Sequence, residues 1–328
     1  MDKEHREYKP ERNELLNAPR GKDPTPQKTI AVTQKNPVAQ TEAYNVKNKV
    51  VIPPVTATPD ASFRFSPFTV EAEIHEYLFE VRKAGSVFWV GAAVPKGTTD
   101  FTRAQIFFHP TVVNGGVVHA DDKDYRDFQG GWPSIERGPS GVPAKGIQRY
   151  VAMQGGQLAG AGRLAPLLVP FTTMAALNTK APAGNMFSDR PVETLNAVMA
   201  AIQSEITKKE GGKPTLATLG VASFSSGIMA LRLFLAAMRS SGLVKEVIDF
   251  DSPHIKIEPK TLTRAPGAVS KCFTQVAASR PEPGYVTLMA QHFATITAYS
   301  GFNEPVRLHA RIGWMMYYQA MKDLAKKK

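Results

Sequence analysis

A serine stands at an abrupt change of pattern in residues 215–228, which read TLATLGVASFSSGI. The apolar first half predicts a strand, and a segment with helical periodicity begins directly after Ser225. A sharp strand-to-helix turn holds a serine hydroxyl out from the backbone, where it can attack a carbonyl carbon. Small residues are usual two positions before and after that serine, because strand and helix pass close together. Gly227 fits, Ser223 departs from the usual glycine, and Ser225 is the predicted nucleophile for acyl transfer.

Two aspartates lie at the end of the next predicted strand, residues 244–250. A serine hydroxyl is a weak nucleophile that needs a base for its proton and a carboxylate that orients the base. Asp249 and Asp251 point in the same direction, because side chains alternate along a strand. Asp251 lies where the chain leaves the sheet, before Ser252 and Pro253. We therefore favour Asp251 as the orienting carboxylate and keep Asp249 as the alternative.

Residues 215–228 and 244–253 together resemble the α/β-hydrolase superfamily, in which the catalytic triad follows the chain order serine, acid, histidine. In element order the similarity extends over about residues 70–328. The resemblance implies a nucleophile elbow at Ser225 and a serine esterase or lipase-like activity. Such an enzyme is a carboxylic-ester hydrolase that works through an acyl-enzyme. Its substrate would be a small-molecule or lipid ester.

The resemblance also implies a histidine on a loop that precedes a terminal helix. His309 comes directly before residues 310–324, where apolar residues recur at helical spacing. It is the predicted general base, with Asp251 as its orienting partner. His292 is the alternative base, and His254 lies too close to Asp251 in the chain to be its partner.

Two backbone N–H groups must stabilise the oxyanion that forms during acyl transfer. Ser226 follows the nucleophile at the start of a helix, so its N–H is the first predicted donor. The second donor usually comes from a loop after an earlier strand, here the residues IFFHPT at 106–111. Pro110 has no N–H, which makes Thr111 the predicted donor. Residues 112–145, rich in glycine and proline, would form a lid or substrate loop.

The rest of the chain after residue 62 alternates between strand and helix patterns. This alternation predicts a single α/β domain over residues 63–328, with a mostly parallel sheet and helices on both faces. Reactive residues collect at the carboxyl ends of the strands in such sheets. The helix at 190–209 is expected to begin with Ser188 or Asp189 as N-cap and Pro191 in its first turn. Predicted strands are residues 71–82, 86–94, 104–108, 167–171, 215–224 and 244–250, and predicted helices are 147–163, 190–209, 226–240 and 310–324.

Residues 1–62 have a different composition. They hold eight prolines, many polar residues and a short apolar cluster at residues 50–52. Such a segment cannot bury enough apolar surface to offset the entropy of ordering it. We interpret it as an extended or disordered arm that docks on a protein partner or on another copy of the chain, giving a homo-oligomer.

The charge of the chain, +11 over 328 residues, is spread along the sequence. Basic residues do not interleave with aromatic residues as they would on a nucleic-acid-binding face, so the sequence argues against nucleic acid as a partner. No apolar run reaches the length of a membrane helix. The first residues lack the apolar core of a signal peptide, which predicts a cytoplasmic protein or one exported without a cleavable signal. The single cysteine, Cys272, excludes an internal disulfide framework and is interpreted as a small buried residue.

No cofactor or metal is predicted. The glycines at 155–162 lie within or at the end of a predicted helix, whereas a dinucleotide fingerprint opens one. A second hypothesis remains beside the enzyme: an inactive hydrolase-like scaffold that binds partners through its basic surface and its arm. Ser223 in the glycine position and Pro110 in the oxyanion loop favour the scaffold. The elbow sequence at Ser225 favours the enzyme.

Overall fold

The computed structural model of the chain describes residues 30–34, 44–48, 70–83, 86–110, 144–171, 186–187, 189–209, 212–250, 265–273, 286–288, 317–318 and 320–322. Within these residues, ten strands form one continuous sheet. The strand order along the sheet is β1-β3-β4-β6-β5-β7-β8-β9-β10, with β2 also paired to β3. Their bounds are β1 Ala31–Gln34, β2 Tyr44–Asn48, β3 Val70–Lys83, β4 Ser86–Pro95, β5 Arg103–Phe108, β6 Leu167–Pro170, β7 Thr218–Phe224, β8 Val244–Phe250, β9 Val269–Phe273 and β10 Val286–Leu288.

The sheet is mixed, with its parallel half around the predicted elbow. Strands β5 to β10 pair in parallel, β7 lying between β5 and β8. Strand β4 instead forms an antiparallel hairpin with β3 and runs antiparallel to β6. The sequence predicted a mostly parallel sheet, and the described sheet is mixed, since the short connection between β3 and β4 joins antiparallel neighbours. The carboxyl ends of β5, β7 and β8 lie side by side, as the site prediction requires.

Helices cover both faces of this sheet. On one face Tyr150 of α1 (Ala144–Gly160) stacks on Phe107, and helical residue Tyr317 contacts both Phe107 and Phe250. On the other face lie α2 (Pro191–Thr207) and α3 (Ile228–Ala237), and Phe234 of α3 packs on Phe108. Since side chains alternate along β5, Phe107 and Phe108 each belong to a different hydrophobic layer. A mixed sheet with helices on both faces is compatible with the α/β-hydrolase type of fold that the sequence resembles.

Two segments of the predicted arm belong to the sheet. Strand β1 pairs antiparallel with residues 79–82 of β3, and β2 pairs antiparallel with residues 70–74 of the same strand. Ile30 and Val32 also pack against the hydrophobic core. The composition of residues 1–62 predicted little structure, but a short segment needs few apolar residues when an existing strand supplies its hydrogen-bond partners. The boundary at residue 62 between arm and domain remains a prediction.

The start of α2 differs from the expected capping. Its N-cap is Arg190, with φ of +42° and no side-chain capping bond, while Pro191 is in the first turn as predicted. The buried Lys83 of β3 binds this region: its Nζ donates to the carbonyl oxygens of Met186 and Asp189 and to Thr194 Oγ1. Burial lowers the pKa of Lys83, because a charged ammonium loses hydration inside the protein. Lys83 thus ties the backbone before α2 and the first turn of the helix to β3, without capping the N–H groups of the helix.

A polar cluster of three side chains joins β5 and β8 near the amino ends of these strands. Arg163 Nη2 donates to both carboxylate oxygens of Glu246, at 2.8 and 2.6 Å. Gln105 Nε2 donates to the same carboxylate at 2.9 Å. The cluster links β5 and β8, the two neighbours of β7, with the residues after α1.

Among the described residues, no helix is both long and apolar enough to cross a membrane.

Candidate active site

The chain turns sharply between β7 and α3, and Ser225 stands at the corner. Strand β7 ends at Phe224, which is extended (φ −125°, ψ 132°), and Ser225–Gly227 form a single 3-10 turn that leads into α3. Ser225 has a φ of +52°, in the left-handed region that residues other than glycine seldom adopt. Such strain persists only where the surrounding structure enforces it, and it is concentrated at functional sites. The backbone thus has the features of a nucleophile-presenting turn.

Gly227 is required by the close approach of β5 to this turn. A Cβ atom added at Gly227 would collide with the carbonyl oxygen of Phe108 and would come within 2.8 Å of that of His109. Both obstacles are backbone atoms at the end of a paired strand, so they cannot move aside as a flexible side chain would. The position two residues after Ser225 must therefore be small because the end of β5 lies against it, as the sequence pattern predicted.

Ser223 shows how a serine can occupy the position where glycine is usual. Its hydroxyl extends sideways across the sheet and donates a hydrogen bond to Asp249 Oδ1 at 3.2 Å. The two residues are register partners on β7 and β8, and both are buried. Ser223 therefore uses its hydroxyl within the sheet. The sequence did not predict this contact, because 26 residues separate the two partners and only the strand register brings them together.

His109 lies at the end of β5, beside the elbow, but it is buried rather than exposed to a substrate. Its Nδ1 lies 2.6 Å from the carbonyl oxygen of Pro110, so Nδ1 carries the proton and donates it. Its ring packs near that of Tyr150. Burial lowers the pKa of His109 to about 4, since an imidazolium loses its hydration there. At neutral pH His109 is therefore an uncharged part of the wall next to the turn.

The described residues include only part of the predicted catalytic set. Ser225 and Ser226 lie together in the turn, both partly exposed, and Asp249 lies under the end of β7 and β8. Four predicted residues lie outside the described residues: Thr111, Asp251, His292 and His309. The predicted lid at 112–145 lies outside them too, except for residues 144 and 145, which begin α1. The triad and the second oxyanion donor therefore remain predictions. Within the described part of the chain, His, Cys, Asp and Glu side chains form no group of three that could hold a metal ion.

Comparisons with known proteins give similarities only to solved structures. No protein-family model matches the chain, and no curated protein matches it. A fungal esterase structure from Rhizomucor miehei covers 78% of this chain and 86% of its own, at 12% identity and a TM-score of 0.35. A thermostable esterase from Pseudomonas putida covers 76% and 83% (12% identity, TM-score 0.34), and an ester-hydrolase from the metagenome of Lake Arreo covers 81% and 86% (12% identity, TM-score 0.32).

Proposed function

We propose that the protein is a serine hydrolase that cleaves carboxylic esters through an acyl-enzyme on Ser225. The observation that carries this proposal is the positive φ of Ser225 at the corner between β7 and α3. A left-handed serine at such a corner is the conformation that lifts a nucleophilic hydroxyl above the end of a sheet. The close contact of Gly227 with the end of β5 supports the same reading, because it fixes the turn from its other side.

In this mechanism the Ser225 hydroxyl attacks the ester carbonyl carbon while His309 accepts its proton. The resulting oxyanion receives a hydrogen bond from the backbone N–H of Ser226, at the amino end of the turn and helix, where the backbone dipoles favour negative charge. Thr111 supplies the second donor. Collapse of the intermediate expels the alcohol, which takes the proton from His309, and water then releases the acyl group by the reverse steps.

The hydrogen bond between Ser223 and Asp249 supports the assignment of Asp251 as the carboxylate that orients the histidine. One oxygen of Asp249 already accepts from a buried hydroxyl within the sheet. That geometry suits a residue that acts inside the sheet. Asp251, two residues further along the chain, then takes the role beside His309, and His292 is the alternative base.

A second candidate function is the inactive scaffold that binds a partner. The observation that favours it is Pro110, which is buried directly after His109 and has no N–H for an oxyanion. A scaffold would retain the elbow as a remnant of the fold. The two functions differ in whether Ser225 reacts.

Hydrolysis of p-nitrophenyl esters with acyl chains of increasing length tests the proposal. We expect turnover in the wild type with an initial burst of p-nitrophenol, the kinetic sign of an acyl-enzyme. The Ser225→Ala variant should lose this turnover, while Ser241→Ala, which removes a serine hydroxyl after α3, should keep it. Equal turnover in the wild type and Ser225→Ala would contradict the proposal. No turnover with any ester would favour the scaffold.

A further inference from the structure

Ser223 and Asp249 form a buried polar pair directly beneath the elbow. Their hydroxyl-to-carboxylate hydrogen bond is 3.2 Å long, and solvent reaches essentially neither side chain. Around them the core at this level is aromatic: Phe108, the register partner of Ser223 on β5, packs against Phe187 and Phe234. A carboxylate in such surroundings is costly unless it accepts hydrogen bonds. Hydrocarbon side chains would fill the same space without this desolvation cost, so we expect the pair to have a structural or functional role.

The position of the pair indicates what that role is. The β7–β8 ladder continues for just one residue pair beyond Ser223 and Asp249, to Phe224 and Phe250. The next residue is Ser225, in its strained left-handed conformation. Left-handed backbone in a residue other than glycine costs about 1–3 kcal/mol, and the neighbouring structure must hold it. A hydrogen bond to a charged partner at the second-last paired position of the strand, two residues before Ser225, supplies such a restraint.

We propose that Ser223 and Asp249 are positioning residues that hold the backbone of Ser225 in its reactive conformation. Asp249 acts through Ser223, and it is not the carboxylate that orients the catalytic histidine. The proposal rests on the proposed function, since Ser225 is taken as the nucleophile. The proposal also explains why this chain has Ser223 where glycine is usual, two residues before the nucleophile. A glycine has no hydroxyl that could restrain the strand.

Three variants separate this role from simple stabilisation. Ser223→Ala removes the donating hydroxyl. Asp249→Asn removes the charge but keeps an oxygen that accepts from Ser223. Thr194→Val is the matched control. It removes another buried hydroxyl, on α2, which accepts a hydrogen bond from the charged Lys83 of β3. Each variant is assayed for ester turnover across pH 5–9 and for backbone amide exchange of residues 218–232 by mass spectrometry.

We expect Ser223→Ala to lower kcat by about 10- to 100-fold, the range for a lost hydrogen bond to a charged group, with KM within about twofold and an unchanged pH profile. Amide exchange in residues 218–232 should accelerate by a similar factor. Asp249→Asn should stay within about threefold of the wild type in both measurements. Thr194→Val should leave kcat unchanged, and any faster exchange caused by easier unfolding should be spread over the sheet rather than confined to residues 218–232.

Two results would overturn the proposal. Ser223→Ala with wild-type kcat and wild-type exchange would show that the pair restrains nothing at the elbow. A kcat loss of about 10⁴-fold in Asp249→Asn with a shifted pH profile would identify Asp249 as the orienting carboxylate of the triad instead. Amide exchange is independent of catalysis. If the wild type hydrolyses no ester, the proposed function is refuted. Faster amide exchange in Ser223→Ala would in that case still support the restraint.

Discussion

The carbonyl oxygen of Phe108 lies so close to the Cα of Gly227 that no side chain fits between them. This contact joins the end of β5 to the first turn after Ser225. It therefore sets the distance between the loop that would carry one oxyanion donor and the turn that carries the other. The elbow depends on this contact as much as on the serine.

Replacing Gly227 by alanine should damage both stability and activity. The new methyl group would meet two backbone carbonyls, so we expect a loss of about 3 kcal/mol in the free energy of unfolding. A displaced turn should also cost about 100-fold in ester turnover. Urea unfolding and kinetics check these values.

Gly97→Ala is the matched control, because Gly97 has a φ of +87° but nothing within 4 Å of the added Cβ. It should cost about 1 kcal/mol for backbone strain alone and leave turnover unchanged. Equal losses in the two variants would show that the contact with Phe108 does not matter.

His109 should make the stability of the protein depend on pH between about 4 and 6.5. Its pKa is lowered from 6.5 to about 4, so in this window the unfolded chain binds a proton that the folded protein does not. The free energy of unfolding therefore rises with pH across the window and is reduced below pH 4 by about 3 kcal/mol. In His109→Asn, which keeps a donor for the Pro110 carbonyl, this part of the slope should disappear.

The difference between the two proteins is the quantity to measure, because burial also lowers the pKa of His75, which both retain. Urea unfolding at half-unit pH steps gives the two curves. Parallel curves between pH 4 and 6.5 would mean that His109 is protonated equally in the folded and unfolded states.

Lys83 should stabilise the fold far more than an exposed lysine does. Its ammonium is the shared donor for two carbonyl oxygens before α2 and for Thr194. Lys83→Met should therefore lower the free energy of unfolding by about 3 kcal/mol, the scale for removing one partner of a buried charged hydrogen-bond network. Lys96→Met, which breaks an exposed ion pair with Glu73, should change it by about 0.5 kcal/mol or less. A small effect at Lys83 would contradict its role in anchoring α2.

Deleting residues 1–62 should lower the unfolding temperature. Composition alone predicts an arm whose removal leaves the transition nearly unchanged, but β1 and β2 pair along β3, and Val32 packs on the core. We expect a decrease of about 5 °C, from the loss of about 2 kcal/mol of burial and pairing. Deletion of residues 1–29, which keeps both strands, should have a smaller effect. An unchanged midpoint after the longer deletion would support the separate arm.

Strands and turns that depend on residues adjacent in the chain could be predicted from the sequence. Strand β8 has the bounds expected from its apolar run between Gly242 and Asp251, and β3 and β4 lie within one residue of the predicted strands at 71–82 and 86–94. The position of Ser225 at the strand-to-helix corner was also evident, because a β pattern changes to a helical one there.

Features that depend on distant residues could not be predicted in this way. The predicted N-cap of α2 was wrong, since Arg190 takes that position, and the sequence did not show that Lys83, more than 100 residues earlier, binds the carbonyls that precede the helix. The bond between Ser223 and Asp249 depends on the register of two strands, which the sequence does not state. Strands β1 and β2 are too short to be recognised without the edge of β3, which supplies their partners.

Covalent labelling with a fluorophosphonate probe, followed by peptide mapping, tests most directly whether Ser225 is the nucleophile. We predict one label on the peptide that contains Ser225, no label in Ser225→Ala, and wild-type labelling in Ser241→Ala. Labelling that persists in Ser225→Ala, or that maps to another residue, would contradict the assignment. A wild type that neither reacts with the probe nor hydrolyses any ester would contradict the enzyme itself.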